Sequence, residues 1–373
     1  MDRKQKPLIL KDLAKKMVFL VGPRQVGKTW LAKDIAKSFN NTVYLNYDRA
    51  EDRKIIEAET WLESTELVIL DEVHKMSHWK NYLKGIYDTK PEHLRILVTG
   101  SARLDAFRQA GDALSGRVFM HRLMPFSPAE LKPMPIAQDM ARFLERGGFP
   151  EPFLTEDLIE ANRWRQQYFD SLIREDIFDF DNIQNIKAIR LVLELLRSKV
   201  GSPVSYKSIA EDINVSPNTI KKYIKILEAL YIIFIITPFS KNIARSLLKE
   251  PKIYFFDTGL VKGDVGPRLE NFVAVCLLKH VYAKYDYAGE NYALNYLRTK
   301  DGLEVDFAIA HDENIEQIIE VKHANKDLSK SLLVFHKKYN LPAVQVVQEL
   351  KREQEIQGIS IRKAINFLLD LTL

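Results

Sequence analysis

The chain has 373 residues, too many for one ordinary hydrophobic core, so two or three domains are expected. Hydrophobic residues make up 46% and charged residues 28%, which is typical of a soluble globular protein. The single cysteine excludes an intrachain disulfide, and a net charge of +5 is too small to argue for a nucleic-acid partner by itself. The N-terminal residues lack the apolar core of a signal peptide, and the most apolar later run, Ala229 to Phe239, is too short to span a bilayer. We therefore predict a cytoplasmic protein with no membrane partner.

Residues Gly22 to Thr29, reading GPRQVGKT, follow an apolar run (Met17 to Val21) that predicts a buried parallel strand. They fit the phosphate-loop pattern G-x-x-x-x-G-K-[ST], whose glycines let successive backbone N–H groups converge on a phosphate. Lys28 would reach the β and γ phosphates of ATP, and Thr29 would supply a hydroxyl to Mg²⁺. The alternative is a glycine-containing turn with no ligand. The residues predicted to contact the nucleotide are Gly22, Pro23, Arg24, Gln25, Val26, Gly27, Lys28, Thr29 and Trp30.

Two further candidate strands follow the phosphate loop and its helix, Thr42 to Asn46 and Glu66 to Lys75. The second contains four apolar residues before Asp71 and Glu72, which is the form of a Walker B segment. We assign Asp71 to the metal and Glu72 as the general base that polarises the attacking water. An acidic pair after a strand can also be only a solvated loop start. The adjacent pair favours hydrolysis over a P-loop kinase.

A fourth candidate strand, Arg95 to Ser101, ends in the polar residues Thr99 and Ser101. Because parallel strands present ligand contacts at their carboxyl ends, one of these could sense the γ phosphate. Ser101 could equally cap the helix that follows. Arg117 to Leu123 gives a fifth strand. Residues 1–124 are therefore predicted to form a three-layer α/β domain with a mostly parallel sheet.

Six short motifs, GPRQVGKT, ILDE, VTGS, LSGR, PFSPAEL and GGFPEP, resemble in their order those of prokaryotic AAA-type ATPases with a C-terminal domain of unknown function. The resemblance runs from about Val18 to Tyr339. It implies an AAA+ ATPase that forms a homo-oligomer, in which an arginine completes the neighbouring subunit's site. Arg117 in LSGR is the first candidate and Arg103 the second, although either could be a surface arginine or a structural ion pair. One departure is His74, where such ATPases tend to have glutamine.

Residues 125–180 have a helical pattern interrupted by prolines and glycines, and the resemblance implies a helical lid here, with GGFPEP as a fixed turn. Residues 181–240 are predicted to contain a winged helix. A short helix is followed by a turn at Asn214 and Val215, and then by Ser216 as the N-cap of a second helix. The apolar run after it would supply the strand of a wing. The exposed face of the second helix is predicted to carry Asn218, Lys221, Lys222 and Lys225, and the buried face Ile220, Tyr223, Ile224 and Leu227.

The second helix could enter the major groove of DNA with its lysines on phosphates. The alternative is that the winged helix is a packing module, since any exposed helical face looks like this one.

Residues 241–373 are predicted to form a C-terminal α/β domain. Its opening, PKIYFFDTGL, is similar to the same ATPases, and a helix from Leu269 to Tyr282 precedes two strands, Leu303 to Ile309 and Gln317 to Lys322. Alternation on the first strand is expected to bury its apolar side chains, Leu303, Val305, Phe307 and Ile309, and to turn Glu304 and Asp306 the other way.

A short connection makes these two strands antiparallel neighbours, so Asp306, Glu320 and Lys322 can converge. That is the D…E-x-K pattern of restriction-endonuclease-like cores, in which two carboxylates hold Mg²⁺ and the lysine stabilises charge or activates water. Glu270 would be an additional acidic ligand. The alternative is an acid and a lysine that pair across an exposed hairpin.

Two functions from different classes remain open on these residues. The first is an ATPase that couples nucleotide turnover to cutting or gripping DNA or RNA through the winged helix and the nuclease-like domain. The second is a nucleotide-controlled switch or scaffold for a protein partner, with a non-catalytic C-terminal domain.

Overall fold

The computed structural model describes residues 3–100, 114–172, 185–240, 250–324 and 327–373. The chain divides into two compact units. The first comprises Met1–Met124 with Ala229–Tyr231, and the second comprises Pro125–Glu228 with Ile232–Leu373. Ser101 and Arg103, predicted at the nucleotide site, lie outside the described residues. Every helix within the described ranges is too short or too polar to cross a membrane.

The first unit is built on a five-stranded parallel sheet. Its strands are β1 (Met17–Val21), β2 (Thr42–Asn46), β3 (Leu67–Asp71), β4 (Arg95–Thr99) and β5 (Val118–Arg122). Its helices are α1 (Lys6–Leu13), α2 (Lys28–Ala36), α3 (Ala50–Ala58) and α4 (Trp79–Thr89). The strand order is β2-β3-β4-β1-β5, and each neighbouring pair is parallel. The predicted α/β fold with a parallel sheet is confirmed for this unit.

Both faces of this sheet are buried. Phe19 and Val21 pack in one hydrophobic cluster with Trp79 and Leu83 of α4. Leu20, which alternation turns to the opposite face, is also fully buried. A strand covered on both faces is apolar at every position, which explains the unbroken run in β1. The carboxyl end of this central strand positions the phosphate loop.

The second unit begins with a helical segment. Its helices are α5 (Pro128–Leu131), α6 (Met140–Arg146), α7 (Pro150–Leu154) and α8 (Leu158–Ser171). The motif predicted as a fixed turn lies between α6 and α7, and its Gly147 has a positive φ of 67°. These helices pack on a long helix nearer the C-terminus, α12 (Val265–Ala283), where the ring of Phe143 stacks on Phe272 with centroids 4.7 Å apart. The buried ammonium of Lys279 on α12 pairs with Glu130 of α5.

Three helices and a hairpin follow: α9 (Ile186–Arg197), α10 (Tyr206–Ile213), α11 (Pro217–Ala229), β6 (Ile233–Ile236) and β7 (Lys252–Phe255). Asn214, in the left-handed conformation, ends α10, and the hydroxyl oxygen of Ser216 accepts a hydrogen bond from the Thr219 N–H at the start of α11. Strands β6 and β7 pair antiparallel. β6 lies in the predicted winged-helix region (181–240) and β7 in the predicted C-terminal domain (241–373), so the pair spans the predicted boundary between them.

The C-terminal part contains α12 and a six-stranded mixed sheet. The remaining elements are β8 (Tyr292–Arg298), β9 (Glu304–His311), β10 (Asn314–Lys322), α13 (Lys330–Tyr339), β11 (Ala343–Val347), β12 (Gln354–Ile356), β13 (Ile359–Lys363) and α14 (Ala364–Leu369). The strand order is β12-β13-β11-β10-β9-β8, and β9 and β10 are antiparallel neighbours.

One burial prediction for this sheet is wrong. Leu303 is 37% exposed, whereas Val305, Phe307 and Ile309 are buried. The reason is that β9 begins only at Glu304, and Leu303 closes the turn from β8 by hydrogen bonds with Thr299.

Candidate functional site

The phosphate loop owes its path to backbone conformations that few residues adopt. Gly22 has a φ of 143°, and a Cβ there would lie 2.2 Å from the carbonyl oxygen of Leu123. Gly27, with a φ of 97°, is the N-cap of α2. Gln25 is a non-glycine residue with a φ of 56°. The loop is therefore held in one curled conformation at the start of a helix, where backbone N–H groups and the helix dipole favour an anion.

Lys28 lies within this loop. Its side chain is buried, and its ammonium donates hydrogen bonds to the carbonyl oxygens of Gly22 (3.0 Å) and Pro23 (2.6 Å). These contacts hold the positive charge inside the curl of the backbone. A phosphate cradled by the loop would meet the ammonium there.

Asp71, at the end of β3, is the centre of a hydrogen-bond network. Its Oδ2 accepts from the hydroxyl of Thr29 at 3.3 Å, and its Oδ1 accepts from the hydroxyl of Thr99 at 2.6 Å. The hydroxyl of Tyr44 also donates to Oδ2. Burial, and then the hydrogen bond to Asp71, raise the pKa of Tyr44, so its hydroxyl keeps its proton and remains a donor. The paired hydroxyl and carboxylate of Thr29 and Asp71 are oxygen ligands of the kind that Mg²⁺ prefers.

Glu72 follows Asp71 with a positive φ of 58°, and its N–H donates to the carbonyl oxygen of Thr99 at 3.0 Å. Burial, and then the neighbouring carboxylate of Asp71, raise the pKa of Glu72. Its Oε2 lies 3.6 Å from Nε2 of His74 and 3.7 Å from Nζ of Lys75. A carboxylate with a raised pKa, one residue beyond the carboxylate predicted to bind Mg²⁺, has the properties of a general base.

The other loop residues differ in exposure. Val26 is buried, and its carbonyl oxygen accepts a hydrogen bond from the buried guanidinium of Arg3, which also donates to Met124. The side chain of Trp30 is 46% exposed. Arg3 therefore braces the phosphate loop from the N-terminal segment.

Arg117 forms a two-pronged ion pair within its own unit. Its Nε lies 2.7 Å from Oδ1 of Asp88, and its second nitrogen lies 3.1 Å from Oδ2. A structural ion pair is one of the two alternatives to a role in a neighbouring subunit's site that the sequence left open. A role for Arg117 in a neighbouring subunit's site stays a prediction.

The residues predicted for the C-terminal site lie together in a group that we call the carboxylate cluster, consisting of Glu270, Glu304, Asp306 and Glu320. Glu270 lies on α12, Glu304 and Asp306 on β9, and Glu320 on β10. Lys322 lies 2.7 Å from Oε1 of Glu320.

A buried lysine that the motif did not include lies in the middle of this cluster. The side chain of Lys252, on β7, is 0% exposed, and its Nζ lies 2.7 Å from Glu304 Oε1. It also lies 3.6 Å from Glu270 Oε1 and 3.6 Å from Asp306 Oδ1. The hydroxyl of Tyr254 donates to Glu270 at 2.8 Å.

Burial sets the proton affinities in the cluster. It raises the pKa of Glu270 to about 7, with the charge of Asp306 as the next cause. The same two causes raise the pKa of Glu320. Burial alone would lower the pKa of Lys252, but the surrounding carboxylates together raise it, so this lysine stays charged.

Within the described ranges, no group of three or more histidine, cysteine, aspartate or glutamate side chains could hold a metal ion. Oε2 of Glu320 is buried and has no hydrogen-bond partner among the described residues. This oxygen could accept an additional cation.

Three residues that contact the candidate sites are not part of the sequence motifs. Each lies far along the chain from the residue that it contacts. Tyr44 is 27 positions from Asp71, Arg3 is 23 from Val26, and Lys252 is 18 from Glu270. For Lys252 there is a local signal, since it opens an otherwise apolar and aromatic strand, KIYFF. A lysine at that position needs a buried acidic partner.

Three family models match successive parts of the chain. Residues 14–132 match an AAA domain. Residues 137–263 match one domain of unknown function (DUF8612), and residues 265–367 match another (DUF4143).

The relatives with similar sequences are uncharacterized proteins. One from Mycobacterium tuberculosis is 26% identical over 66% of this chain and 55% of its own length, so the chain spans about half of that relative. One from Methanocaldococcus jannaschii is 24% identical over 85% of this chain and 78% of its own length.

Two solved structures are similar in part. The Walker-type ATPase of Pyrococcus abyssi is 13% identical with a TM-score of 0.47, covering 69% of this chain and 94% of that chain. The RuvB Holliday junction branch migration motor of Thermotoga maritima is 17% identical with a TM-score of 0.33, covering 62% and 87%. The match over residues 14–132, together with the parallel sheet and the phosphate loop, supports an AAA-type P-loop ATPase domain in the N-terminal part of this chain.

Proposed function

We propose that this chain binds ATP with Mg²⁺ and hydrolyses it, and that the turnover drives an action on nucleic acid. The observation that carries the first part is the meeting of Lys28, Thr29, Asp71 and Glu72 at the carboxyl ends of β1 and β3. Each of these residues has a separate task.

The ammonium of Lys28 would neutralise charge on the β and γ phosphates, and the loop backbone would orient them. Thr29 and Asp71 would hold Mg²⁺, which supplies further charge stabilisation to the phosphates. Glu72 would accept a proton from the attacking water, and its raised pKa makes it a stronger base than an ordinary carboxylate. Thr99 and Tyr44 fix the orientation of Asp71 through their hydroxyl groups.

The proposal of nucleic-acid binding is supported by the two faces of α11. Its exposed face carries Asn218, Lys221, Lys222 and Lys225, and its buried face carries Ile220, Tyr223, Ile224 and Leu227. We propose that α10, α11 and the β6–β7 hairpin form a winged helix, with α11 as the recognition helix. Its lysines would then contact phosphates.

ATP turnover by the pure protein tests the first part. Lys28→Ala should abolish nucleotide binding, and Glu72→Gln should keep binding while lowering kcat by about 10²–10⁴-fold. Lys37→Ala is a matched control, because Lys37 lies on the C-terminal side of α2 with its side chain 74% exposed. Unchanged turnover in Lys28→Ala would overturn the site assignment.

Stimulation of turnover by DNA or RNA at low salt tests the second part. A Lys221→Glu/Lys225→Glu variant should lose the stimulation, because phosphate contacts dominate such binding. Lys337→Glu/Lys338→Glu on α13 makes the same change in net charge on another exposed face and should keep it. If DNA and RNA neither bind nor stimulate, the alternative of a nucleotide-controlled switch for a protein partner is preferred.

A homo-oligomer remains part of the proposal. If Arg117 acts in a neighbouring subunit's site, Arg117→Ala and Glu72→Gln should each have low ATPase activity when assayed alone. A mixture of the two variants tests this arrangement, because a Glu72 from one subunit could then meet an Arg117 from the other. Recovery of turnover in the mixture would support a site shared between subunits.

A further inference from the structure

The carboxylate cluster matches the positions at which a nuclease-like core would hold Mg²⁺, but its charges are already paired. Lys252 contacts three of the four carboxylates, and Lys322 takes Oε1 of the fourth at 2.7 Å. Arg298 lies 3.4 Å from Glu304. Four carboxyl groups therefore face three cations before any metal is added, and Glu270, whose pKa is raised to about 7, is only partly ionised near neutral pH. A divalent cation would reverse this balance and would lie beside a buried ammonium, where repulsion is poorly screened.

The free ligand positions are also few. Oε1 of Glu270 accepts from Tyr254 at 2.8 Å, and a Cβ on Gly201 would lie 2.5 Å from Oε2 of the same carboxylate. The backbone of Gly201 thus lies close to that oxygen, although the Glu270 side chain is 19% exposed. Oδ2 of Asp306 accepts from the N–H of Val321 at 2.9 Å. Mg²⁺ in proteins is usually held by one or two carboxylates, with water completing a near-octahedral shell, and a contact with Oε2 of Glu320 alone would hold it only weakly.

Lys252 is held in place by its strand. β7 pairs with β6 on one side, and Lys252 forms a bridge with Pro203. The ammonium also lies 5.4 Å from the ring centroid of Tyr296, a distance that favours a cation–π contact. Removing this side chain from the cluster would require β7 to leave its partners.

We propose that Lys252 is the resident cation of the carboxylate cluster, and that the cluster is an ionic clamp which fastens β7 to β9 and α12 rather than a divalent-metal site. Lys252 lies in the part of the chain that matches the first domain of unknown function (137–263), and the four carboxylates lie in the part that matches the second (265–367). The clamp therefore joins the two matched parts. The C-terminal domain then acts without metal-dependent cleavage.

Mn²⁺ binding to the full-length, nucleotide-free protein tests this proposal, measured by electron paramagnetic resonance and calorimetry. Asp71→Asn serves as the background, because it removes the carboxylate expected to bind metal at the nucleotide site. We expect this protein to bind no Mn²⁺ more tightly than about 1 mM at the cluster. Adding Lys252→Met to the Asp71→Asn protein should create one Mn²⁺ site with a Kd at least about tenfold below that 1 mM limit. Adding Asp306→Asn as well should remove this site.

Two results would overturn the clamp. One is sub-millimolar Mn²⁺ binding by the Asp71→Asn protein that Asp306→Asn abolishes. The other is a folded Lys252→Met protein that gains no Mn²⁺ site, because its unpaired carboxylates should then recruit a cation.

If Lys252→Met does not fold, Mn²⁺ binding by the Asp71→Asn protein still tests the proposal. Lys252→Arg keeps the positive charge, so this variant should fold and bind no Mn²⁺. A Lys252→Arg protein that binds Mn²⁺ tightly would count against the clamp. None of these readouts involves ATP turnover, so failure of the clamp and failure of the proposed ATPase activity are distinguishable.

Discussion

The hydroxyl of Tyr44 donates a hydrogen bond to Oδ2 of Asp71, the oxygen that also accepts from Thr29. This contact links the second strand of the sheet to the residue expected to bind Mg²⁺. If the Thr29 hydroxyl binds Mg²⁺ instead, the hydroxyl groups of Tyr44 and Thr99 would still orient the Asp71 carboxylate.

Tyr44→Phe should therefore weaken metal binding without preventing folding. We expect the Mg²⁺ concentration at half-maximal ATPase activity to rise about fivefold, which corresponds to the net value of roughly 1 kcal/mol for one hydrogen bond. Tyr47→Phe is the matched control, since Tyr47 contacts the exposed Glu57 instead. An unchanged Mg²⁺ dependence in Tyr44→Phe would show that this hydroxyl does not position Asp71.

Gly22→Ala should destabilise the N-terminal unit and abolish ATP binding. The new Cβ would lie 2.2 Å from the Leu123 carbonyl oxygen at a φ of 143°, and backbone strain of this kind costs roughly 1–3 kcal/mol. Gly85→Ala in α4 is the opposite case, because no atom lies within 4 Å of its Cβ. That variant should gain up to about 1 kcal/mol from helix propensity. Urea titrations and nucleotide binding measure both, and equal stability of the two variants would contradict the geometry.

The ion pair between Arg165 and Asp257 should contribute strongly to the stability of the second unit. Its side chains are 7% and 2% exposed, and Arg165 Nε lies 2.8 Å from Asp257 Oδ2. Arg165→Met leaves a buried carboxylate without this partner, which typically costs about 3–5 kcal/mol. The exposed pair Arg190–Asp170, also at 2.8 Å, is the control, and Arg190→Met should cost less than about 1 kcal/mol. Chemical denaturation of the two variants compares these costs directly.

The pKa of His121 should be lower in the folded protein than in the unfolded chain. Burial lowers its pKa from the usual 6.5, although Asp12, whose Oδ2 lies 2.9 Å from Nε2, opposes the shift. The unfolded chain takes up a proton near pH 6.5 that the folded chain resists, so stability is present above this pH and falls as the pH is lowered through it. NMR titration of labelled histidines, assigned with His121→Asn, measures the pKa directly. A value at or above 6.5 would mean that Asp12 outweighs burial.

The nucleotide site could be predicted because its chemistry is local in the sequence. Gly22 to Thr29 and the Asp71–Glu72 pair each follow a buried apolar strand, and parallel strands bring their carboxyl ends to one edge. The role of Tyr44 depends on β2 lying beside β3, a pairing that no local pattern specifies. Thr99 was recognised as polar and strand-terminal, but its contact with Asp71 required the register between β3 and β4.

The C-terminal motif was predicted from alternation on two strands, and its residues do lie together. The charge balance that decides its chemistry could not be predicted in the same way. Lys252 comes from a hairpin that precedes the motif by more than fifty residues, and its approach to Glu304 depends on tertiary packing alone.

The buried pair between Lys279 and Glu130 has a practical consequence for dividing the chain into fragments. Lys279 also donates to the carbonyl oxygen of Pro125 at 2.9 Å, so residues near the end of the AAA-domain match are held to α12. A protein expressed from residue 137, where the second family match begins, would bury this ammonium without either acceptor. Expression of the C-terminal two thirds as a stable fragment should therefore start at or before Pro125.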